Sequence, residues 1–190
     1  GGPSALATAL TGRTPEYGFH LTDNRYGSFL INVEAPMRDM TDYGTLGFFA
    51  GKIAGQDTPV FAGLPSNPTL EELKALSAAL AASGAVSMFH AVGVTPEAPT
   101  LEAAFGGRAP AKTLTFGVEE RTQAENALNK EPSDHVDWIL VGCPNASVQE
   151  MREVAEASGF TLAKGQVLKT AHLNRLLAQA RGSDHDELIN

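Results

Sequence analysis

Two predicted strand-to-helix turns carry side chains that could take part in catalysis. His90 ends a predicted strand and is followed by Gly93 and a polar turn, and Cys143 precedes a predicted helix in the turn VGCPNAS. In open α/β sheets ligands bind at the carboxyl ends of the strands, and a helix N-terminus or a metal stabilises a thiolate. The pattern favours His90 as a catalytic residue and Cys143 as a nucleophile or metal ligand. A structural histidine and a small buried cysteine are the alternatives.

A loop before the first predicted strand concentrates hydrogen-bonding side chains. Residues 17–27, YGFHLTDNRYG, contain His20, Asn24 and Arg25. A guanidinium presents a planar pair of donors that matches a carboxylate, so this loop could bind an acidic substrate. The alternative is a surface loop in which Arg25 is solvated.

Lys52 is a further candidate, at the end of a glycine-interrupted predicted helix. A desolvated lysine is a good base, whereas a lysine near a helix C-terminus is commonly structural. Asp42 could be its partner or only a charge on the helix surface. Spacing alone leaves both interpretations open.

The composition excludes several classes of protein. The 190 residues carry a formal charge of -8 and no two adjacent basic residues, so the basic face of a nucleic-acid binder is missing. There is no apolar run of about 18 residues and no signal-peptide pattern, which argues against a membrane protein. A single cysteine fits a reducing compartment, and we expect a cytoplasmic protein. No CxxC, GxGxxG, P-loop, GxSxG or HExxH motif occurs, so any metal needs ligands from outside this segment.

The elements that must position these side chains follow an α/β pattern, with a parallel or mixed sheet flanked by helices. Predicted strands cover residues 28–33, 60–64, 85–90, 113–116 and 137–141. Predicted helices cover residues 37–53, 70–82, 101–105, 118–129, 147–157 and 168–180. Thr69 with Glu72, and Ser147 with Glu150, form capping boxes that start two of these helices.

We expect three parts along the chain. Residues 1–55 are a glycine-rich N-terminal part of the site region, residues 56–165 a Rossmann-like α/β domain, and residues 166–190 a C-terminal helix with a polar tail. The glycines of the first part favour close packing over contact with a ligand. These are Gly27, Gly44, Gly47 and Gly51. The opening GGPS without Met suggests a piece of a longer product.

Four sequence blocks together resemble one protein family. They are EYGFHL at residues 16–21 with NR at 24–25, DYGTLGFFAGK at 42–52, SGAV at 83–86 leading into HAVGVTPEAPT at 90–100, and GCP at 142–144. Four blocks in one order are far more specific than one short motif. They resemble the aconitase X family.

The resemblance implies an aconitase-like fold, in which a swivelling small domain or subunit closes over the site. It implies iron or an iron–sulfur cluster with Cys143 as one ligand, catalytic Lys52 and His90, and substrate binding by His20, Asn24 and Arg25. The implied activity is dehydration of a small hydroxy acid. The low charge and the Ala and Gly content favour cis-3-hydroxy-L-proline, which would give Δ1-pyrroline-2-carboxylate, over mevalonate 5-phosphate.

The chain also departs from the family pattern. Asn145 stands where the family turn continues with histidine, and the other family cysteines are missing, as are the N-terminal region and the swivelling domain. An active enzyme would therefore need partner segments. The second hypothesis is a non-catalytic truncated or assembly subunit, which the single cysteine supports.

Overall fold

The computed structural model describes residues 2–129 and 145–157, which form six α-helices, two short 3-10 helices and four strands. In chain order they are α1 Gly2–Thr11, 3-10 helices Gly18–His20 and Thr22–Asn24, β1 Phe29–Val33, α2 Met40–Ala54, β2 Pro59–Ala62, α3 Leu70–Gly84, β3 His90–Ala91, α4 Leu101–Phe105, β4 Thr113–Phe116, α5 Val118–Leu128 and α6 Val148–Ala157.

The four strands form one parallel sheet in the order β3-β2-β1-β4. In register, Leu30 of β1 lies between Val60 of β2 and Thr113 of β4, and Val60 also pairs with His90 of β3. The near-continuous apolar sequence of β1 suits a parallel strand that is covered on both faces. The predicted α/β class, a parallel sheet flanked by helices, is confirmed.

Strand alternation divides the core into two layers. The first face packs on α2 and α3, and α5 lies against α2. The second face packs on α4. Large buried side chains of the first layer are Phe29, Ile31, Tyr43, Leu46, Phe61, Leu76, Leu80 and Phe116. The second layer contains Leu30, Val60, Ala98, Ala104 and Phe105.

Glycines allow α2 and α3 to pack closely. A Cβ atom on Gly47 would lie 2.6 Å from a backbone oxygen of α3, and one on Gly51 would lie 2.0 Å from Ser83 Oγ. A Cβ atom on Gly84 would lie 2.0 Å from the Gly51 carbonyl oxygen. Close packing is thus confirmed for Gly47 and Gly51, whereas a Cβ atom on Gly44 would meet nothing within 4 Å.

Both predicted capping boxes are present. Thr69 Oγ1 accepts a hydrogen bond from the Glu72 backbone N–H at 3.2 Å, while Glu72 accepts one from the Thr69 N–H. Ser147 and Glu150 make the same reciprocal pair. Because each box satisfies two otherwise unpaired N–H groups, the helix begins at a defined residue.

The predicted strand over residues 85–90 was wrong for most of its length. Helix α3 continues to Gly84, and Ala85 ends it in a left-handed conformation with φ of 53°. Val86 is buried and its N–H bonds the Leu80 carbonyl, so this stretch packs on the helix and does not pair with β2. The strand is only His90–Ala91, and His90 is its first residue where the sequence predicted the last.

The first 128 residues form one compact unit, Gly1–Leu128, and Asn129–Asn190 form a second. All four described strands belong to the first unit, and β1, which precedes the predicted boundary at residue 55, pairs with β2, which follows it. Helix α1 was not predicted. The predicted strand at residues 137–141 and the helix at 168–180 lie outside the described residues, and the predicted boundaries at 55 and 165 stay predictions.

Candidate functional site

Residues 17–28, here called the Arg25 loop, cross the second face of the sheet just before β1. The Gly27 N–H donates to the Ala104 carbonyl at 2.8 Å. A Cβ atom on Gly27 would lie 2.1 Å from Val60 Cγ2 and 3.2 Å from Phe105. The loop therefore needs glycine here, because the backbone lies directly on the α4 side of the core.

The guanidinium of Arg25 is held by Glu97, which lies in the turn between β3 and α4. Arg25 Nε donates to Glu97 Oε1 at 3.0 Å and to Oε2 at 2.8 Å, and Nη2 also donates to Oε1. Nη1 donates to the Phe19 carbonyl at 2.9 Å. Hydrogen bonds from Arg25 hold the pKa of the Glu97 carboxyl below its usual range. The Arg25 guanidinium, which the sequence predicted to bind a substrate carboxylate, thus already binds the carboxylate of Glu97.

His90 is buried and contacts the same loop. Its Nε2 lies 2.6 Å from the Arg25 carbonyl oxygen. Because a carbonyl only accepts, Nε2 carries the proton and donates it to this bond. In this conformation His90 fastens the loop to β3.

Asn24 and His20 complete the loop. Asn24 Nδ2 donates to the Gly18 carbonyl at 2.9 Å, which closes the loop on itself. His20 is exposed, and its Nε2 lies 3.4 Å from Thr14 Oγ1. His20 and Asn24 are both exposed and so are accessible to an incoming molecule.

Lys52 lies elsewhere, in a groove between α2 and α3 on the other side of the sheet. The groove has a volume of about 470 Å³ and a mainly apolar lining that includes Phe48, Ala79 and Leu128. Lys52 Nζ lies 5.4 Å from the centre of the Phe48 ring. The structure brings His90, Arg25 and Asn24 together, and it does not bring Lys52 to them. Cys143 lies outside the described residues.

Asp42 is not the partner of Lys52. Its side chain is buried, and its carboxylate accepts two hydrogen bonds of 2.9 Å from the Arg38 guanidinium. Arg121 Nη1 of α5 lies 3.6 Å from Asp42 Oδ1. Hydrogen bonds from Arg38 hold the pKa of Asp42 below its usual range, against burial, which raises it. This cluster joins the start of α2 to α5.

The described residues do not form a metal centre. Within 2–129 and 145–157, no three His, Cys, Asp or Glu side chains come together as ligands. The part of the chain that the structure describes therefore does not by itself supply the ligands of an iron site. None of the helices in this part is long and apolar enough to cross a membrane.

Comparison with known proteins decides the family. The protein-family model described as aconitase X second domain matches residues 27–126. The chain belongs to the aconitase X family. The match covers β1 to most of α5. It therefore includes the described strands, most of the groove with Lys52, and both His90 and Glu97, while most of the Arg25 loop precedes it.

Relatives with two different names are similar to this chain. A phosphomevalonate dehydratase large subunit of Methanosarcina mazei is 41% identical over 165 residues, which cover 86% of this chain and 39% of that protein. A cis-3-hydroxy-L-proline dehydratase of Pseudomonas aeruginosa is 37% identical over 183 residues, 95% of this chain and 32% of that protein.

A solved structure agrees with the fold. The holo-form of Thermococcus kodakaraensis aconitase X superposes with a TM-score of 0.69 at 38% identity, covering 84% of this chain and 40% of that one. The chain thus spans about two fifths or less of the length of these relatives.

The sequence predicted neither the role of Glu97 nor the ion-pair cluster of Arg38, Asp42 and Arg121. The motif HAVGVTPEAPT contains Glu97, but nothing in the motif indicates its partner, which lies 72 residues away. The pairing of Asp42 with Arg38 has a local signal, because the two residues are four apart at the start of a helix.

Proposed function

We propose that this chain is part of an aconitase X-type hydro-lyase, which removes water from a small hydroxy acid. The observation that carries the proposal is the family match over residues 27–126, together with relatives of both kinds that are named dehydratases. Since those relatives are far longer than this chain, the activity belongs to the complete protein with its remaining domains or subunits.

An elimination of water needs a group that holds the substrate, a base that removes a proton and an acid or metal that draws off the hydroxyl. For this family we propose iron or an iron–sulfur cluster for the last role, with Cys143 as one ligand. Cys143→Ser in the anaerobically purified complete protein should lower its iron content, and unchanged iron would remove Cys143 from the ligand set.

We propose the Arg25 loop as the substrate-binding part of this chain. Arg25 has five N–H donors, of which the contacts with Glu97 and Phe19 use three, so two remain. Those two donors, the exposed His20 imidazole and the Asn24 side chain are the polar groups that a carboxylate could reach. The buried His90 would contribute by holding the loop in place through its hydrogen bond to the Arg25 carbonyl.

Lys52 stays the proposed base for the case in which the substrate binds on its side of the sheet and not at the Arg25 loop. It lies in the last turn of α2 and is exposed, whereas a lysine that acts as a base is desolvated. Another part of the complete protein would have to cover the groove and desolvate the amine.

Lys52 and the Arg25 loop lie on opposite sides of the sheet, so one small substrate cannot contact both in a single copy of this unit. Lys52→Ala and His20→Ala, compared in the complete enzyme, separate the two places. The variant that loses turnover while keeping its iron identifies the side at which the substrate binds.

The substrate we propose first is cis-3-hydroxy-L-proline, converted to Δ1-pyrroline-2-carboxylate. The relative named for that reaction aligns with 95% of this chain. Mevalonate 5-phosphate is the second candidate, because relatives named for its dehydration are 41% and 42% identical.

The test is anaerobic incubation of the complete, iron-loaded protein with each acid, with product followed by NMR. Formation of either dehydrated product supports the hydro-lyase and selects the substrate. If the iron-loaded protein converts neither acid, the hydro-lyase proposal for these substrates fails, and the non-catalytic assembly subunit becomes the better description.

A further inference from the structure

We propose that Glu97 is a positioning residue that holds the Arg25 loop against the turn after β3. The bidentate contact between the Glu97 carboxylate and the Arg25 guanidinium is the observation that carries this inference. Its catalytic consequence rests on the function proposed above, whereas its effect on the loop does not.

The loop is fastened at three points around Arg25. The side chain binds Glu97, the Arg25 carbonyl accepts from His90 Nε2 at 2.6 Å, and the Gly27 N–H donates to the Ala104 carbonyl at 2.8 Å. Two of these contacts involve backbone of the loop, and they fix it only at residues 25 and 27. The contact with Glu97 joins the Arg25 side chain to the turn after β3, whereas its other contact, with the Phe19 carbonyl, lies within the loop.

The turn that carries Glu97 is itself well fixed. The Gly93 N–H donates to the Ala98 carbonyl at 2.8 Å, and Thr95 Oγ1 accepts from the Ala91 N–H at 3.0 Å. Ala98 is fully buried in the second core layer. Because these contacts already fix the backbone that carries Glu97, less entropy is lost when Glu97 binds and orders Arg25.

Arg25 extends the effect of Glu97 to the rest of the loop. Its Nη1 donates to the Phe19 carbonyl at 2.9 Å, in the short 3-10 helix that ends with His20. A guanidinium is planar and rigid, so the position of Nη1 follows from the bidentate contact at Nε and Nη2. Glu97 thus fixes the backbone next to His20 without touching it.

A second interpretation predicts the opposite effect of removing Glu97. If Arg25 binds the substrate carboxylate in the place where Glu97 now lies, Glu97 competes with the substrate, and its removal should tighten binding. If Glu97 positions the loop, its removal should weaken catalysis. The remaining donors of Arg25 favour positioning, because they can meet a substrate without breaking the bidentate pair.

The test compares wild type, Glu97→Gln and Glu102→Gln in the complete protein. Glu102 is an exposed glutamate of the neighbouring helix α4 and forms no ion pair with another described residue. It is therefore the matched control. Amide hydrogen exchange over residues 17–28 should become about threefold to tenfold faster in Glu97→Gln, the range for loss of a well-aligned ion pair near the surface. Glu102→Gln and the amides of β1 should show no change.

Kinetics then test the catalytic consequence with whichever hydroxy acid the protein dehydrates. Glu97→Gln should lower kcat/KM at least threefold through kcat, and the double variant with Arg25→Gln should be no worse than Arg25→Gln alone, because the two side chains act as one unit. Unchanged exchange over residues 17–28, or a lower KM in Glu97→Gln, would overturn the inference. If the wild type converts neither acid, the proposed function fails, while the exchange result still decides the role of Glu97.

Discussion

Replacing Gly84 by alanine should separate α2 from α3 and destabilise the first unit. The new Cβ atom would lie 2.0 Å from the Gly51 carbonyl oxygen, 2.6 Å from its carbon and 2.8 Å from its Cα, all of them backbone atoms that cannot rotate away. Relief of this overlap needs a shift of about 1 Å, enough to forfeit a quarter to a half of the dispersion energy of the atoms that move apart.

The expected net loss is about 2 kcal/mol in the free energy of unfolding, since overpacking costs about 1–3 kcal/mol and alanine recovers little at the last residue of a helix. Gly44→Ala is the matched control on α2, where nothing lies within 4 Å and better helix propensity should add about 1 kcal/mol. Urea unfolding followed by far-UV circular dichroism measures both variants. A Gly84→Ala protein as stable as the wild type would refute the close-packing argument.

Three other substitutions test separate features. Ala85→Gly should stabilise the chain by about 1 kcal/mol in urea unfolding, because glycine adopts the left-handed C-cap without the penalty of a Cβ atom; no gain would show that the position is unstrained. Asp42→Asn should cost about 2–3 kcal/mol at neutral pH. Because the pKa of folded Asp42 lies below its ordinary value of 3.8, this stabilisation is present above about pH 4 and is lost as the pH falls through the folded pKa. The loss in free energy of unfolding of Asp42→Asn relative to wild type should therefore shrink in acid. A loss that stays constant down to about pH 2 would rule out an ionised pair. The control Asp57→Asn, at an exposed aspartate, should show no loss. If the substrate binds on the Lys52 side of the sheet, Lys52→Ala in the complete enzyme should abolish turnover and leave iron content unchanged; retained turnover would remove Lys52 from the mechanism.

Local signals in the sequence were sufficient for most helices and strands. Helix α4 and strand β4 have the predicted bounds, and α3 begins at the predicted Leu70 because the capping box before it is encoded within four residues. These features depend on neighbours in the chain, so a single sequence contains the information that defines them.

Features that depend on tertiary contact were not predictable in the same way. The apolar residues before His90 have the composition of a strand, yet they pack on the end of α3, and the strand is reduced to two residues. The Arg25–Glu97 pair joins residues 72 apart in sequence. No local pattern distinguishes such a pair from two solvated charges, which is why Arg25 was predicted to meet a substrate carboxylate and Glu97 was given no role.

The order of strands in the sheet has a consequence for synthesis of the protein on the ribosome. Leu30 of β1 pairs with Val60 on one side and with Thr113 on the other, 83 residues later in the chain. At the usual elongation rate of about 5–20 residues per second, one edge of this apolar strand waits about 4–17 s for its partner after it is made. During that interval β1 presents unpaired N–H and C=O groups beside Phe29 and Ile31, the conditions under which nascent chains associate. Slow elongation between β2 and β4 should therefore lower the yield of soluble protein, and early binding of a chaperone to this strand should raise it.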